Sequence, residues 1–236
     1  MTLLRVIGPG RAGTSLARAL AAAGWDVAEP VRRGESVADG AEGVDLLVIA
    51  TPDAAVAEVA ASVEPVATTV VAHLAGSLGL DGLAPHQRRA SVHPLVALPD
   101  PDLGAERLRG ASFAVAGDPL AEEVVRALGG RSFAVDDEHR AAYHAAACIA
   151  SNHLVALLGQ AERVAATAGV PLDAYLDLVR ATVENVAALG PARALTGPAA
   201  RGDTATLARH RAALDPAELP AYDAMVDLAV RLVPPR

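Results

Sequence analysis

A glycine-rich turn near the N-terminus constrains this chain more than any other feature of its sequence. The turn, Gly8-Pro9-Gly10-Arg11-Ala12-Gly13, follows the apolar run Leu3–Ile7 and leads into a segment where Leu16 and Leu20 recur at helical spacing. A G-x-G-x-x-G pattern is a weak signal alone, but between a strand and a helix it is typical of a dinucleotide-binding βαβ unit. The sequence therefore predicts a Rossmann-type domain that binds a nicotinamide dinucleotide.

Each position of this turn has a predicted task. Gly8 permits the tight turn, Gly10 lets the backbone approach the pyrophosphate, and Gly13 allows the helix to pack closely on the strand. The free N–H groups at the start of the helix, at Arg11 and Ala12, are expected to bind the phosphates. The alternative, a glycine-rich turn without a ligand, is disfavoured by the strand and helix on either side.

The residues after the second predicted strand bear on the choice of cofactor. An NAD-specific domain places Asp or Glu at the end of this strand, and here the position is Val31, followed by Arg32 and Arg33. Two guanidinium groups suit the 2′-phosphate of NADP, with Ser36 as a further donor. NADP is therefore favoured, although Glu29 could serve an NAD ribose and the two arginines could be solvated surface residues.

The chain divides into two parts by its pattern of apolar residues. Short apolar runs alternate with helical stretches in the first part, with candidate strands at residues 3–7, 25–31, 46–50, 69–73, 90–93, 112–116 and 132–135. This pattern predicts an α/β domain with a mostly parallel sheet over residues 1–136. Beyond about Asp137 only helical patterns occur, so residues 137–236 are predicted to form an all-α domain for substrate binding and dimerisation.

Composition narrows the classes of protein that the chain can represent. A net charge of −8 argues against a nucleic-acid partner, and all 20 basic residues are arginine, so no lysine can form a Schiff base or act as an acid. The single cysteine, Cys148, argues against an internal disulfide, and no metal site is predicted from the histidine spacing. With no leader and no apolar run approaching membrane-spanning length, we expect a cytoplasmic protein without a membrane partner.

Polar residues follow several predicted strands, where parallel sheets bind their ligands. Thr51 and Pro52 are expected to line the path of the nicotinamide ribose, and Asp53 is expected to cap the next helix. Ser77 and His93 follow two further strands and are candidate catalytic residues, although His93 could merely cap its strand.

The first helix of the second part carries three polar residues at regular spacing. His144, Cys148 and Asn152 recur at four-residue spacing, which predicts that they share one face of a helix. His144 could be a hydrogen-bonded core residue rather than a catalyst, and Cys148 is expected to be a small buried apolar residue.

A second polar group lies near the end of the chain. Thr196-Gly197-Pro198 precedes Arg201-Gly202-Asp203, and Thr196, Arg201 and Asp203 are candidate substrate-binding residues. Arg201 could bind a carboxylate, or it could form a structural ion pair with Asp203.

These segments resemble a bacterial family that joins a Rossmann-like domain to a C-terminal helical domain of unknown function. The resemblance is carried by Tyr143-His144 through Ser151-Asn152, by residues 196–203 and by Ser91-Val92-His93-Pro94-Leu95. It implies the 6-phosphogluconate dehydrogenase-like superfamily, which includes ketopantoate reductases and 3-hydroxyacid dehydrogenases. The helical domains of those relatives dimerise and help to close the active site.

The resemblance also implies roles for individual residues. The relatives carry a catalytic lysine one helical turn before an asparagine, and here Asn152 matches the asparagine while Cys148 occupies the lysine position. His144, one turn further back, is the expected replacement. Ser77 and His93 resemble the serine and the His-Pro segment of prephenate dehydrogenases.

The sequence thus predicts an NADPH-dependent oxidoreductase that reduces a small 2-oxo acid, with ketopantoate as the substrate implied by the resemblance. Histidine, with an ordinary pKa of about 6.5, can protonate the alkoxide left by hydride transfer. Imines and cyclic dienoic acids remain open as substrates. The alternative is a non-catalytic dinucleotide-binding sensor or assembly protein, which the missing lysine favours. The apolar excess of the helical part predicts a homodimer through that part.

Overall fold

A seven-stranded sheet forms the centre of the first part of the chain in the computed structural model, which describes residues 1–233. The strands are β1 (Leu3–Ile7), β2 (Asp26–Val27), β3 (Leu46–Ile49), β4 (Val70–His73), β5 (Arg89–Pro94), β6 (Ser112–Gly117) and β7 (Arg131–Ala134). Their order across the sheet is β2-β1-β3-β4-β5-β6-β7. The predicted α/β class is confirmed.

The direction of the strands decides where a ligand can bind. Strands β1 to β5 run parallel, whereas β6 pairs antiparallel with β5, and β7 runs parallel to β6. The strand order reverses between β1 and β3, because the chain passes from β1 outward to β2 and then crosses back to β3. Open sheets of this kind bind ligands beyond the carboxyl ends of their strands at such a switch point.

The second strand is shorter than its sequence predicts. Residues 25–31 were expected to form one strand, but regular pairing is limited to Asp26–Val27, and Val31 joins β1 through a single bridge to Ile7. Pro30 lies between the two paired segments, and a proline has no N–H to donate to a neighbouring strand. The other predicted strands agree with the observed ones to within about two residues.

Helices cover both faces of this sheet, and each face has its own apolar core. The helices of the first part are α1 (Arg11–Ala22), α2 (Val56–Ser62), α3 (Pro101–Leu108), α4 (Leu120–Ala127) and α5 (Arg140–Cys148). One core cluster contains Leu16 and Leu20 of α1 with Phe113 of β6, and the other contains Val56 of α2 with Ile49 of β3. Strands β3 and β4 are buried at every residue, which explains why their sequences are apolar almost throughout.

The chain forms two compact units that divide after Ser151. The last strand ends at Ala134, near the domain border expected at residue 137, but α5 still belongs to the first unit. The helices of the second unit are α6 (Leu154–Ala166), α7 (Asp173–Leu189), α8 (Pro191–Ala194), α9 (Gly197–Arg201), α10 (Thr204–Ala213) and α11 (Leu219–Arg231). Within it Arg163 of α6 pairs with Glu218, and Arg211 of α10 pairs with Asp223 of α11.

A helical stretch extends from Asp137 to Ala166. It contains the π-helical turn Ile149–His153, and by length and composition alone it is long and apolar enough to cross a membrane. This corrects the expectation that no apolar run approaches that length. The early turns of the stretch contact the sheet: Arg140 is buried there and Tyr143 hydrogen-bonds to His93 of β5.

Candidate active site

The glycine turn lies at the reversal of strand order, beside the end of β3. Gly8 has a positive φ of 81°, and a Cβ on this residue would lie 3.1 Å from the carbonyl oxygen of Ala50 and 3.2 Å from Cγ2 of Thr51. Both the backbone conformation and the space therefore require glycine here. The hydroxyl oxygen of Thr51 is buried without a hydrogen-bond partner among the described residues. The carboxyl ends of β1 and β3 thus meet beside an unsatisfied polar atom, at the switch point where open sheets of this kind have their ligand crevice.

The other two glycines of the turn differ in their surroundings. A Cβ on Gly13 would lie 2.8 Å from both the carbonyl oxygen of Gly8 and Cγ1 of Val6, so Gly13 allows α1 to pack closely on β1. A Cβ on Gly10 would meet nothing within 4 Å. Gly10 is also the N-cap of α1 and supplies no side-chain cap, which leaves the first amides of α1, at Arg11 and Ala12, without a side-chain acceptor. This arrangement suits a pyrophosphate approaching Gly10.

The residues expected to select the cofactor lie next to the turn. The amide of Gly8 donates to the carbonyl oxygen of Val31 at 3.0 Å, which brings the following arginines to the glycine turn. Nη1 of Arg32 lies 3.9 Å from Oε2 of Glu29, and both side chains are largely exposed. The structure therefore brings together the residues of both alternatives, Arg32 with Arg33 for NADP and Glu29 for NAD, and the choice stays a prediction.

Asp53 does not cap a helix, contrary to the sequence-based expectation. The 3-10 turn Asp53–Ala55 begins after Pro52 without a side-chain cap, and Oδ2 of Asp53 instead accepts a hydrogen bond of 3.0 Å from the hydroxyl of Ser77. The bond joins the segment after β3 to the segment after β4. Ser77, predicted as a catalytic residue, therefore lies at the carboxyl edge with its hydroxyl engaged by Asp53.

Two imidazole rings meet edge to face beside Gly76, in the turn that follows β4. The ring centroids of His93 and His144 are 5.8 Å apart, and the rings are nearly perpendicular. A Cβ on Gly76 would lie 2.6 Å from Nδ1 of His144 and 2.8 Å from Nε2 of His93, so only glycine leaves room for both rings. Nδ1 of His144 is buried and has no hydrogen-bond partner among the described residues. The two predicted catalytic histidines are thus brought together.

Tyr143 holds His93 from the other side of its ring. The tyrosine hydroxyl oxygen lies 2.6 Å from Nδ1 of His93, and the rings meet edge to face with centroids 5.4 Å apart. Burial and, to a smaller extent, the charge of the neighbouring His144 lower the pKa of His93 to about 4. His93 is therefore neutral at neutral pH, and its possible role as a simple strand cap is not what the structure shows.

His73, at the end of β4, fixes the turn that carries Gly76. Its Nδ1 accepts from the amide of Ala75 and its Nε2 donates to the carbonyl oxygen of Gly79, both at 3.2 Å. Burial lowers the pKa of His73, which keeps the ring neutral and this pair of hydrogen bonds intact. His73 thus has a structural role at the edge where Ser77 and His93 were predicted to act.

A buried guanidinium lies near His93. The side chain of Arg140 is 1% exposed, and it donates from Nε to Asp137 at 2.9 Å and from Nη1 to the hydroxyl of Ser91 at 3.2 Å. Its Nη2 is buried with no partner among the described residues. Arg140 thus anchors the start of α5 to β5 and positions His144 one turn later on the same helix.

The predicted face of His144, Cys148 and Asn152 is continuous only in its first half. Sγ of Cys148 lies 3.7 Å from Nε2 of His144, as the four-residue spacing predicts. Asn152, however, lies in the π-helical turn Ile149–His153, where a wider hydrogen-bonding pattern replaces the α-helical one. The α-helical spacing rule therefore does not extend to Asn152. Such π-helical turns are frequent at functional sites.

The candidate substrate residues near the end of the chain lie in the second unit. Thr196 precedes α9 and Arg201 ends it, and both are exposed. Asp203 caps α10: its Oδ1 accepts from the amide of Thr206 at 3.0 Å and its Oδ2 from the hydroxyl of Thr206 at 2.8 Å. These hydrogen bonds lower the pKa of Asp203. The expected structural pairing of Asp203 is thus with Thr206, and substrate binding by Arg201 stays a prediction.

Comparisons with known proteins agree with this architecture. A family model described as a domain of unknown function (DUF2520) matches residues 112–228. No curated protein matches the chain in sequence. The match confirms the part of the resemblance that concerned a C-terminal domain of unknown function.

Solved structures share the fold over almost the whole chain. A protein of Bacteroides fragilis provisionally assigned as an NADP oxidoreductase is 21% identical, with a TM-score of 0.79 and 98% coverage of both chains. A reductive aminase of Aspergillus terreus in complex with NADPH, cyclohexanone and allyl amine is 20% identical, with a TM-score of 0.69 and coverage of 98% of this chain and 94% of that one. Pyrroline carboxylate reductase of Plasmodium falciparum with NADP bound is 12% identical, with a TM-score of 0.64 and 98% coverage of both. Because the sequence identities are this low, the structural similarity establishes the shared fold alone.

Sequence reasoning missed three residues that shape this site: Gly76, Tyr143 and Arg140. Arg140 precedes His144 by four residues, so the spacing used to join His144 with Cys148 also reaches Arg140. Helical spacing gives no such signal for Gly76 and Tyr143, because their importance depends on rings contributed by different elements. Tyr143 lies in a segment that carries the family resemblance, but no role was assigned to it.

Proposed function

We propose that this chain is an NADPH-dependent reductase of a carbonyl or imine group on a small organic acid. The observation that carries the proposal is the arrangement at the carboxyl edge of the sheet. The β1/β3 crevice begins at Gly8, and the His93 and His144 rings lie over the turn after β4, the strand next to β3. A dinucleotide site and two titratable rings on one sheet edge suit hydride transfer coupled to proton transfer.

The residues of the crevice fit a dinucleotide. Gly8 and Gly13 keep the turn tight, while Gly10 and the amides of Arg11 and Ala12 would hold the pyrophosphate. Thr51 and Pro52 would line the nicotinamide ribose, and the unpartnered hydroxyl of Thr51 would find its partner there. Arg32 and Arg33 would bind the 2′-phosphate, and Arg32 would then contact the phosphate instead of Glu29. Support for NADP also comes from the aminase and pyrroline carboxylate reductase, which were solved with NADPH and NADP.

When bound, NADPH supplies the hydride. The reduced oxygen or nitrogen then needs a proton, and His144 is the residue that we assign to donate it, through the Nδ1 that has no other partner among the described residues. Neutral His93 lies beside it as a hydrogen-bond donor. Asn152 would bind the reacting oxygen or the carboxamide, and Arg201, with Thr196 nearby in sequence, would recognise the carboxylate of the substrate. Asp203 would act there only through its cap on α10.

The substrate class that we propose is a small 2-oxo acid, with ketopantoate first, on the likeness to the 6-phosphogluconate dehydrogenase-like superfamily. The reductive aminase and the pyrroline carboxylate reductase extend the class to imines of similar acids. A cytoplasmic location is part of the same proposal.

The absence of lysine from the chain favours a second candidate, a dinucleotide-binding protein without catalysis. A screen of 2-oxo acids, cyclic imino acids and ketone–amine pairs with NADPH, read by loss of NADPH absorbance beside a binding titration, separates the two. Turnover supports the reductase, and tight binding without turnover of any substrate supports the second candidate.

Variants of the two histidines test the assignment of the proton donor. His144→Ala is expected to lower kcat by roughly 10²- to 10⁴-fold with little change in NADPH affinity, because the phosphates are held at the glycine turn. His139→Ala removes an exposed histidine at the start of the same helical stretch and serves as the control. Full activity of His144→Ala together with loss of activity in His93→Ala would transfer the role to His93.

A further inference from the structure

We propose that Tyr143 is a positioning residue that fixes one tautomer of His93, so that the Nε2–H of His93 lies beside Nδ1 of His144 and is offered to the reacting atom of the substrate. The inference rests on the proposed function for its chemical role. The tautomer itself is a property of the protein alone and can be measured without turnover.

The geometry favours the tyrosine as donor. The hydroxyl oxygen of Tyr143 and Nδ1 of His93 are 2.6 Å apart, so one of the two groups donates to the other. If Nδ1–H donated, the hydroxyl proton would have no acceptor among the described residues, and a partly buried O–H would lose a hydrogen bond. If the hydroxyl donates, its proton is used and Nε2 of His93 carries the ring proton. Burial raises the pKa of Tyr143, which keeps the hydroxyl protonated.

The position of Nε2 determines how this tautomer would act in catalysis. The point where Gly76 would carry a Cβ is 2.8 Å from Nε2 of His93 and 2.6 Å from Nδ1 of His144. The Nε2 of His93 and the unpartnered Nδ1 of His144 therefore both lie beside Gly76, whose missing side chain lets the two nitrogens approach the same point. Because the lowered pKa keeps His93 neutral, it can donate a hydrogen bond to a developing oxyanion but does not compete with His144 as the source of the proton.

The two rings thus divide the work. His93 is oriented through its Nδ1 by Tyr143, and His144 is held at its Nε2 side by Cys148. Tyr143 also packs edge to face on Phe133 of β7, with centroids 5.8 Å apart, so its ring is fixed independently of its hydroxyl. Replacing the hydroxyl alone therefore tests the hydrogen bond with little change in packing.

The tautomer can be read by ¹⁵N NMR of the full chain labelled at histidine. Around neutral pH we expect His93 to show a protonated Nε2 and an unprotonated Nδ1 as a single dominant form. In Tyr143→Phe we expect a mixture of the two neutral tautomers. A dominant Nδ1–H form in the unmodified protein, or an unchanged spectrum in Tyr143→Phe, would overturn the inference. The first of these outcomes is measured on the unmodified protein, so the inference can be overturned even if the variant does not fold.

A second tyrosine–histidine pair provides a matched control. In the second unit the hydroxyl of Tyr222 lies 2.8 Å from Nδ1 of His210, and Tyr222→Phe should change the His210 signal while leaving His93 unaltered. With a substrate from the screen, Tyr143→Phe should lower kcat/KM roughly three- to tenfold and leave NADPH affinity unchanged, as expected for one hydrogen bond. An altered tautomer with unchanged kcat/KM would overturn the catalytic part. Absence of turnover in the unmodified protein would instead count against the proposed function, with the tautomer still decided by NMR.

Discussion

Gly76 is the residue whose side chain most directly limits the space between the two imidazoles. Gly76→Ala places a methyl group 2.6 Å from Nδ1 of His144 and 2.8 Å from Nε2 of His93, so at least one ring must move. We expect a loss of activity of at least tenfold and a decrease of about 1–3 kcal/mol in the free energy of unfolding, with NADPH affinity retained. Gly82→Ala is the control, because nothing lies within 4 Å of its Cβ position. Equal behaviour of the two variants would contradict the described contact.

The lowered pKa of His93 predicts how stability depends on pH. Between pH 6.5 and about pH 4 the unfolded chain binds a proton at this residue that the folded chain does not, so the stabilisation is complete above pH 6.5 and is lost as the pH falls. The loss attributable to His93 is at most about 3 kcal/mol. Urea unfolding at several pH values should therefore show a shallower decline for His93→Gln than for the unmodified protein. Parallel curves would show that His93 is not neutral in the folded state.

Individual residues of the site differ in how far the sequence could predict their roles. The roles of Gly8 and Gly13 followed from the motif, because its strand and helix context determines which backbone atoms lie nearby. His144 and Cys148 followed from helical spacing. Tyr143 could not be found in this way, because its partner His93 lies on β5 and the pairing is created by packing between elements. Asp53 was misassigned as a cap because the sequence does not show that Ser77 lies within reach of its carboxylate.

The glycine turn and α1 form one structural element, and we expect alanine substitutions at two of its glycines to have different effects. Gly13→Ala places a Cβ 2.8 Å from the carbonyl oxygen of Gly8 and from Val6, so it should lower the thermal midpoint as well as NADPH affinity. Gly10→Ala has φ −78° and open space around its Cβ position, so it should fold normally and lose NADPH affinity by at least tenfold. Thermal melts and NADPH titrations of both variants check this contrast. Normal NADPH binding by Gly10→Ala would exclude the turn as the pyrophosphate site.

The segment after β2 should decide the preference between cofactors. Replacing both Arg32 and Arg33 by alanine is expected to remove any preference for NADPH over NADH, which we estimate at roughly 1.5–3 kcal/mol per charge-assisted contact. Glu29→Gln is the companion variant, because Glu29 lies 3.9 Å from Arg32 and would compete for it. Equal affinity for the two cofactors in the unmodified protein would assign the site to Glu29 and NAD.

Strands and helices were predicted correctly from the sequence where a single physical cause determines them. The core strands were found because burial on both faces makes them apolar throughout, and β2 was overestimated because that rule does not register the effect of Pro30. The helical stretch from Asp137 to Ala166 was expected as a helix, but its π-helical turn has no counterpart in apolar periodicity. Apolar periodicity at 3.6 residues per turn does not reveal the wider hydrogen-bonding pattern over Ile149–His153.

The second unit leaves several large apolar side chains exposed to solvent. Among its described residues only Ala165 and Leu207 are buried, and α7 has no buried residue along its 17 residues. Leu178, Val183, Val186 and Leu189 of α7 are exposed, with Leu178 64% accessible to solvent. At 3.6 residues per turn these four side chains project from one side of the helix. Apolar faces of this kind are most simply covered by another copy of the chain.

We therefore predict a homodimer that uses the exposed face of α7. Light scattering at micromolar concentration should give twice the mass of one chain. Leu178→Glu combined with Val186→Glu should give a monomer, because two carboxylates would have to be buried at the interface. Leu103→Glu, which adds the same charge at an exposed apolar residue of the first unit, should leave the dimer intact. A monomeric mass for the unmodified protein, or an intact dimer in the double variant, would show that this face of α7 is not the interface.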